Sequence, residues 1–72
     1  MTVGDRVQTG HGRGTIVGQD LPGHDCARWV VRIDEPKPEH EGTVAAFPRR
    51  ELCYFPREVA RVAEQEARRA AE

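Results

Sequence analysis

The chain contains no serine, which excludes a serine nucleophile beside a base. It has two cysteines, Cys26 and Cys53, with no Cys-x-x-Cys pair. Its three histidines, His11, His24 and His40, are too far apart for the short His–His spacing of a zinc site. His24 and Cys26 are the closest pair of metal-type ligands. They sit in a polar loop and read as solvated side chains rather than as a metal site or a catalytic dyad. A basic excess is also absent: 11 Lys and Arg against 12 Asp and Glu leave a net charge of −1. Strong duplex binders usually carry a cationic surplus that neutralises phosphates. No apolar run approaches the roughly 20 residues that span a bilayer, and MTVGDRV does not open a secretion signal. The expected location is therefore cytoplasmic, with no membrane partner and with both thiols reduced.

Glycine, by contrast, is concentrated. Five of the seven glycines fall in residues 4–18, GDRVQTGHGRGTIVG. A phosphate cradle of the dinucleotide type needs G-x-G-x-x-G between a strand and a helix. Gly10, Gly12 and Gly14 run G-x-G-x-G instead, with Thr15 where the third glycine belongs. The β-branched residues that follow predict a strand, so no helix N-terminus faces a pyrophosphate. There is no Gly-Lys-Ser/Thr of a P-loop and no G-x-x-G clamp. The stretch reads as a tight corner between two strands, and it implies no cofactor.

A chain of 72 residues is one small domain. Residues 3–9 read as a turn and a strand, and 14–19 as a second strand. Pro-Gly marks 20–26 as a loop. ARWVVRI, 27–33, is the clearest strand. Alternation puts Trp29, Val31 and Ile33 on an inner face and Arg28, Val30 and Arg32 on the other. Two prolines and four acids make DEPKPEHEG, 34–42, an exposed loop. Its carboxylate pairs, Asp34–Glu35 and Glu39–Glu41, read as solvated. TVAAF, 43–47, predicts a fourth strand, and LCYF, 52–55, a fifth strand or a helical turn with Cys53 buried. Trp29, Phe47, Tyr54 and Phe55 are the natural core anchors. Replacing Trp29 by alanine is expected to cost roughly 3 to 5 kcal/mol. From Pro56 onward, PREVARVAEQEARRAAE has helix-forming composition. Only Val59 and Val62 give weight to its apolar stripe, and its second half is expected to fray. The expected fold is thus mainly β: a five-stranded barrel or roll over 1–55 with a C-terminal α-helix over 56–72 covering one open end.

The stretch VGDRV followed by GHGRGTIVG resembles the opening of SH3-like barrels. These include KOW and Tudor-like domains, the Tudor-like tail of UvrD-type helicases and the polymerase-interacting domain of CarD-type regulators. Gly4, Asp5, Val7, His11, Gly12, Gly14 and Ile16 carry the resemblance, and RWVVRID…TVAAFPRREL is similar in outline, so residues 3–55 are covered. A second resemblance, of DEP then GTVAAF, is to the CAP-Gly domain. It is carried only by Gly42 at that family's signature, without the aromatic groove. The first resemblance implies an SH3-like fold and a transcription- or nucleic-acid-associated setting.

Function is expected to be non-enzymatic: an interaction module that binds a protein partner, as a monomer or with weak self-association. Arg28, Arg32, Arg49, Arg50 and Tyr54 are the candidate partner-binding residues, because arginine and tyrosine are enriched at interface hot spots. The alternative is nucleic-acid binding, in which the same arginines track the phosphate backbone and Tyr54 stacks on a base. Ion pairing of these arginines across a mixed surface is the competing structural role.

Overall fold

The computed structural model describes residues 1–23 and 25–62. Five strands form one open, antiparallel sheet: β1 (Arg6–Thr9), β2 (Gly12–Asp20), β3 (Arg28–Pro36), β4 (Glu51–Tyr54) and β5 (Ala60–Arg61), in the order β4-β3-β2-β1-β5. Between β3 and β4 a turn of 3-10 helix (Pro38–His40) runs into α1 (Glu41–Ala45), giving eight helical residues in the middle of the described chain.

The alternation of β3 dictates the core. Val31 and Ile33 are fully buried with Val7, Ile16 and Val44, and Leu52, Tyr54 and Val59 are buried beside them. Trp29 only packs against this cluster from its margin. Register explains the glycine corner. Val7 pairs with Gly14, and Gly14 with Ile33. A Cβ on Gly14 would stand 2.4 Å from the carbonyl oxygen of Arg32, so glycine there lets two strands close over the core. Two register shifts in β2, at Arg13/Gly14 and Ile16/Gly18, bend the sheet. The bend is large. β1 and β4 are three strand spacings apart, about 14 Å in a flat sheet, yet the hydroxyls of Thr9 and Tyr54 lie 3.4 Å from each other.

Four sequence expectations are corrected. Residues 43–47 are not a strand. Pro38 begins the helical run with its φ already fixed for it, two alanines favour its continuation, and one inward residue, Val44, anchors it in the core. That leaves Phe47 exposed. The helix expected from residue 56 is absent as far as residue 61. Pro56–Glu58 is a single 3-10 turn, Val59 enters the core, and Ala60–Arg61 pairs with Gln8 and Val7 of β1. The free edge of β1 and the burial of Val59 outweigh local propensity. The remainder of the expected helix, 63–72, lies outside the described residues. The acidic loop is shorter than expected because Asp34–Pro36 extends β3. Cys53 is exposed: pairing of Val31 with Leu52 turns Leu52 and Tyr54 inward and Cys53 outward. Neither Cys26 nor Cys53 is disulfide-bonded, and both are exposed.

Candidate functional site

Two features flank β4. At its C-terminal end a cleft of about 480 Å³ opens between the β1–β2 corner and the connection to β5, lined by Gly10, His11, Cys53, Tyr54 and Glu58. The corner is rigid for local reasons. The chain reverses over Gly10 and His11, and Gly12 takes a φ of 131° that suits glycine. Buried Thr9 closes the turn. Its hydroxyl donates to the Gly12 carbonyl (2.8 Å) and accepts the His11 N–H (3.1 Å). The Lys37 N–H donates to the His11 carbonyl at 3.0 Å, which ties the corner to the end of β3.

The His11 imidazole Nδ1 lies 2.8 Å from the Tyr54 hydroxyl. The Thr9 hydroxyl lies 3.4 Å from the same phenol, and the tautomer of His11 decides whether Nδ1 donates to the phenol or accepts from it. Burial pushes the Tyr54 phenol above its ordinary value; the Thr9 hydroxyl opposes this and the Glu58 charge adds to it. The His40 ring meets His11 edge-on, with centroids 5.0 Å apart at 82°. Across the cleft, Glu58 Oε2 accepts the Phe55 N–H at 3.0 Å. Among the described residues the cleft lining carries this one carboxylate and no arginine or lysine. Among the described residues no group of three or more His, Cys, Asp and Glu side chains is placed to hold a metal ion.

At the other end of β4 stands the turn Phe47–Arg50. Val44 fixes α1 to the core, and the chain then reverses with the Arg50 N–H donating to the Phe47 carbonyl at 3.1 Å. Phe47 is 44% exposed. Arg49 and Arg50 are exposed and hold φ values of 57° and 59°. Two consecutive non-glycine residues in the left-handed region cost roughly 1 to 2 kcal/mol each.

The expected site residues divide. Arg32 projects from the outer face of β3, paired in register with Thr15 and Glu51. The Arg49–Arg50 turn leads directly into Glu51, so these three arginines belong to one neighbourhood. Arg28 is about 13 Å further along β3 at roughly 3.3 Å per residue. It donates to Asp20 at 3.0 Å, and its guanidinium lies 5.9 Å from the centre of the Phe55 ring. Arg57 lies 5.3 Å from the same ring. The buried Arg28 Nε has no hydrogen-bond partner. Tyr54 is not a rim residue with a ring free to stack: it is 6% exposed, and its hydroxyl is held by His11. Elsewhere on the outer face Arg6 donates to Asp34 at 2.6 Å and to Glu35 at 3.4 Å. The Arg6 hydrogen bond holds the Asp34 carboxyl below its ordinary value against the opposing effect of desolvation, with help from the charges of Arg6 and Arg32.

Sequence reasoning missed three residues: Phe47, taken for a core anchor; His11, weighed only as a metal ligand and as a corner residue; and Glu58, placed in a helix. The His11–Tyr54 contact joins positions 43 apart, and no local pattern signals it. Compared with models of known protein families, with characterised proteins and with solved structures, the chain finds no match.

Proposed function

We propose that this chain is a non-enzymatic interaction module of SH3-like architecture that docks a protein partner through the Phe47–Arg50 turn and neighbouring Arg32. The architectural part is supported by the meander β1-β2-β3-β4, the return of β5 to the free edge of β1 after one 3-10 turn, and the curl that brings Thr9 to Tyr54. A transcription-associated setting is part of the proposal only through the sequence resemblance.

The observation that carries the docking reading is the strained pair Arg49–Arg50 beside an exposed aromatic. Glycine would relieve both backbone positions. Arginine stands there instead, with its side chain in solvent, so its contribution is to recognition rather than to packing. An exposed phenylalanine followed closely by two arginines combines residue types enriched at interfaces. The charge selects a partner with acidic groups around an apolar pocket.

Replacing Phe47 by a photo-crosslinking phenylalanine analogue in the source cell, followed by titration of the captured protein, tests this. The expected result is one predominant adduct whose partner binds the purified chain and loses at least about tenfold in affinity when Arg49 and Arg50 become glutamine. An amide NMR titration with single- and double-stranded oligonucleotides at low and physiological salt is the opposing arm. Salt-sensitive shifts on Arg28, Arg32, Arg49 and Arg50, without a crosslinked protein, would overturn the protein reading in favour of nucleic acid.

A further inference from the structure

We propose that the cleft at the other end of β4 receives an arginine side chain of the partner. This rests on the protein-binding reading above, but its geometry is independent of the turn. The cleft is lined by His11, Tyr54, Glu58, Cys53 and the backbone of Gly10. Among the described residues its lining carries one formal charge, the Glu58 carboxylate, with one hydrogen bond from the described chain, at Oε2. A carboxylate has about four lone-pair sites, so most of its accepting capacity is unused within the described chain. After burial, the Glu58 charge adds to the upward push on the Tyr54 phenol.

The walls fit the same ligand. The rings of His11 and Tyr54 stand 5.8 Å apart and are inclined by 51°. A flat guanidinium lies against the partly exposed ring of His11, which Tyr54 backs, and forks its N–H groups onto a carboxylate, which a compact ammonium does less well. An anionic group is disfavoured by Glu58. A neutral side chain leaves the carboxylate unpaired as it desolvates it. Gly10 keeps the entrance clear. Its φ is not in the left-handed region, and an added Cβ would meet no atom within 4 Å. Glycine is therefore not demanded there by the fold. Its missing side chain is what leaves the entrance open.

The cleft and the turn lie at opposite ends of a four-residue strand, about 10 Å apart at roughly 3.3 Å per residue. One partner surface can span that distance, with acidic groups over the turn and one arginine in the cleft.

The test is an amide NMR titration of the full chain with the blocked tripeptide acetyl-Gly-Arg-Gly-amide, against the same peptide with Gln or Lys at the centre. The Arg peptide should shift Gly10, His11, Tyr54 and Glu58 with a Kd on the order of 1 to 10 mM. The Lys peptide should bind more weakly, and the Gln peptide should leave these amides in place. Glu58→Gln keeps an oxygen for the Phe55 N–H and removes only the charge, so it should abolish the response. Gly10→Leu should abolish it too by filling the entrance. The variant with Arg49 and Arg50 both changed to Gln should bind the Arg peptide as the wild type does. Equal shifts with the Gln peptide, an undiminished response in Glu58→Gln, or no response to the Arg peptide would each overturn the proposal. None of these results touches the crosslinking result at Phe47, so failure of the cleft and failure of the docking turn are separate outcomes.

Discussion

Gly12 and Gly10 are two residues apart in the same corner, and the structure assigns them opposite tolerances. A Cβ on Gly12 would stand 2.3 Å from the Glu35 carbonyl oxygen and 2.8 Å from Pro36 Cα, both of them backbone. Its φ of 131° is strained for any other residue. A side chain in that half of φ space costs roughly 1 to 3 kcal/mol. Overpacking adds roughly 1 to 3 kcal/mol more. Gly12→Ala should therefore destabilise the domain by about 2 to 6 kcal/mol. At about 0.05 to 0.15 kcal/mol per residue, a chain of 72 residues has only about 4 to 11 kcal/mol to lose. The melting temperature should fall by about 10 °C or more, given roughly 4 to 8 °C per kcal/mol for small domains. Gly10→Ala meets nothing and needs no unusual φ. It should leave stability unchanged or raise it by roughly 0.4 to 1 kcal/mol through the unfolded state. Equilibrium urea unfolding followed by fluorescence of Trp29, the one tryptophan, reads both variants. Equal midpoints, or greater damage at Gly10, would refute the assignment of this glycine run to a packed strand corner.

Three further outcomes are expected. Asp34, held below its ordinary value by Arg6, contributes stability that is complete above about pH 4 and is lost as pH falls through the lower folded value. Both side chains are more than a third exposed (45% and 38%), so solvent screening keeps the contribution under about 1 kcal/mol. Asp34→Asn should flatten the acid limb of stability by that amount, and an unchanged limb would dismiss the pair. Tyr54, the only tyrosine, is pushed upward by burial. Its ultraviolet titration should begin above the ordinary phenol value of about 10. Stability should be flat below that pH and fall as pH rises through it, because the unfolded chain ionises first; a titration matching free tyrosine would contradict its burial. At Arg50, relief of roughly 1 to 2 kcal/mol of backbone strain less roughly 0.4 to 1 kcal/mol of unfolded-state entropy makes Arg50→Gly stabilising by up to about 1.6 kcal/mol. Arg50→Ala should be neutral within about 0.5 kcal/mol, and a destabilised Arg50→Gly in chemical denaturation would rule out the strain.

The legible parts of the fold were those where two signals agreed. Val31 and Ile33 alternate with Arg32, and β-branched residues favour strands, so β3 and its inner face could be read directly. Glycines with no helix after them marked the β1–β2 corner. Misreadings came where one weak signal stood alone. Thr43–Phe47 offered β-branched and aromatic residues, but Pro38 upstream and the single inward contact of Val44 fixed a helix. Ala60 and Arg61 carry helix propensity, but the open edge of β1 recruited them as a strand. In LCYF every residue is apolar, so alternation could not say which side Tyr54 or Cys53 would take; that parity is set by pairing with β3. The candidate site was the least legible. Arg32, Arg49 and Arg50 could be singled out by type, but Phe47 was assigned to the core and Glu58 to a helix. The contact between His11 and Tyr54 depends on a curl produced by bulges in β2.

The left-handed conformation of Arg49 and Arg50 has one further consequence. The strain belongs to the backbone, so nearly every side chain other than glycine inherits the same penalty. These side chains are exposed and can be exchanged, even for acids, with little change in folding energy. The turn is thus a mutable address on a fixed scaffold. Selection or design can invert the charge it offers, and with it the class of partner that the proposed docking role would select, while Val44 and the sheet beneath continue to hold its shape.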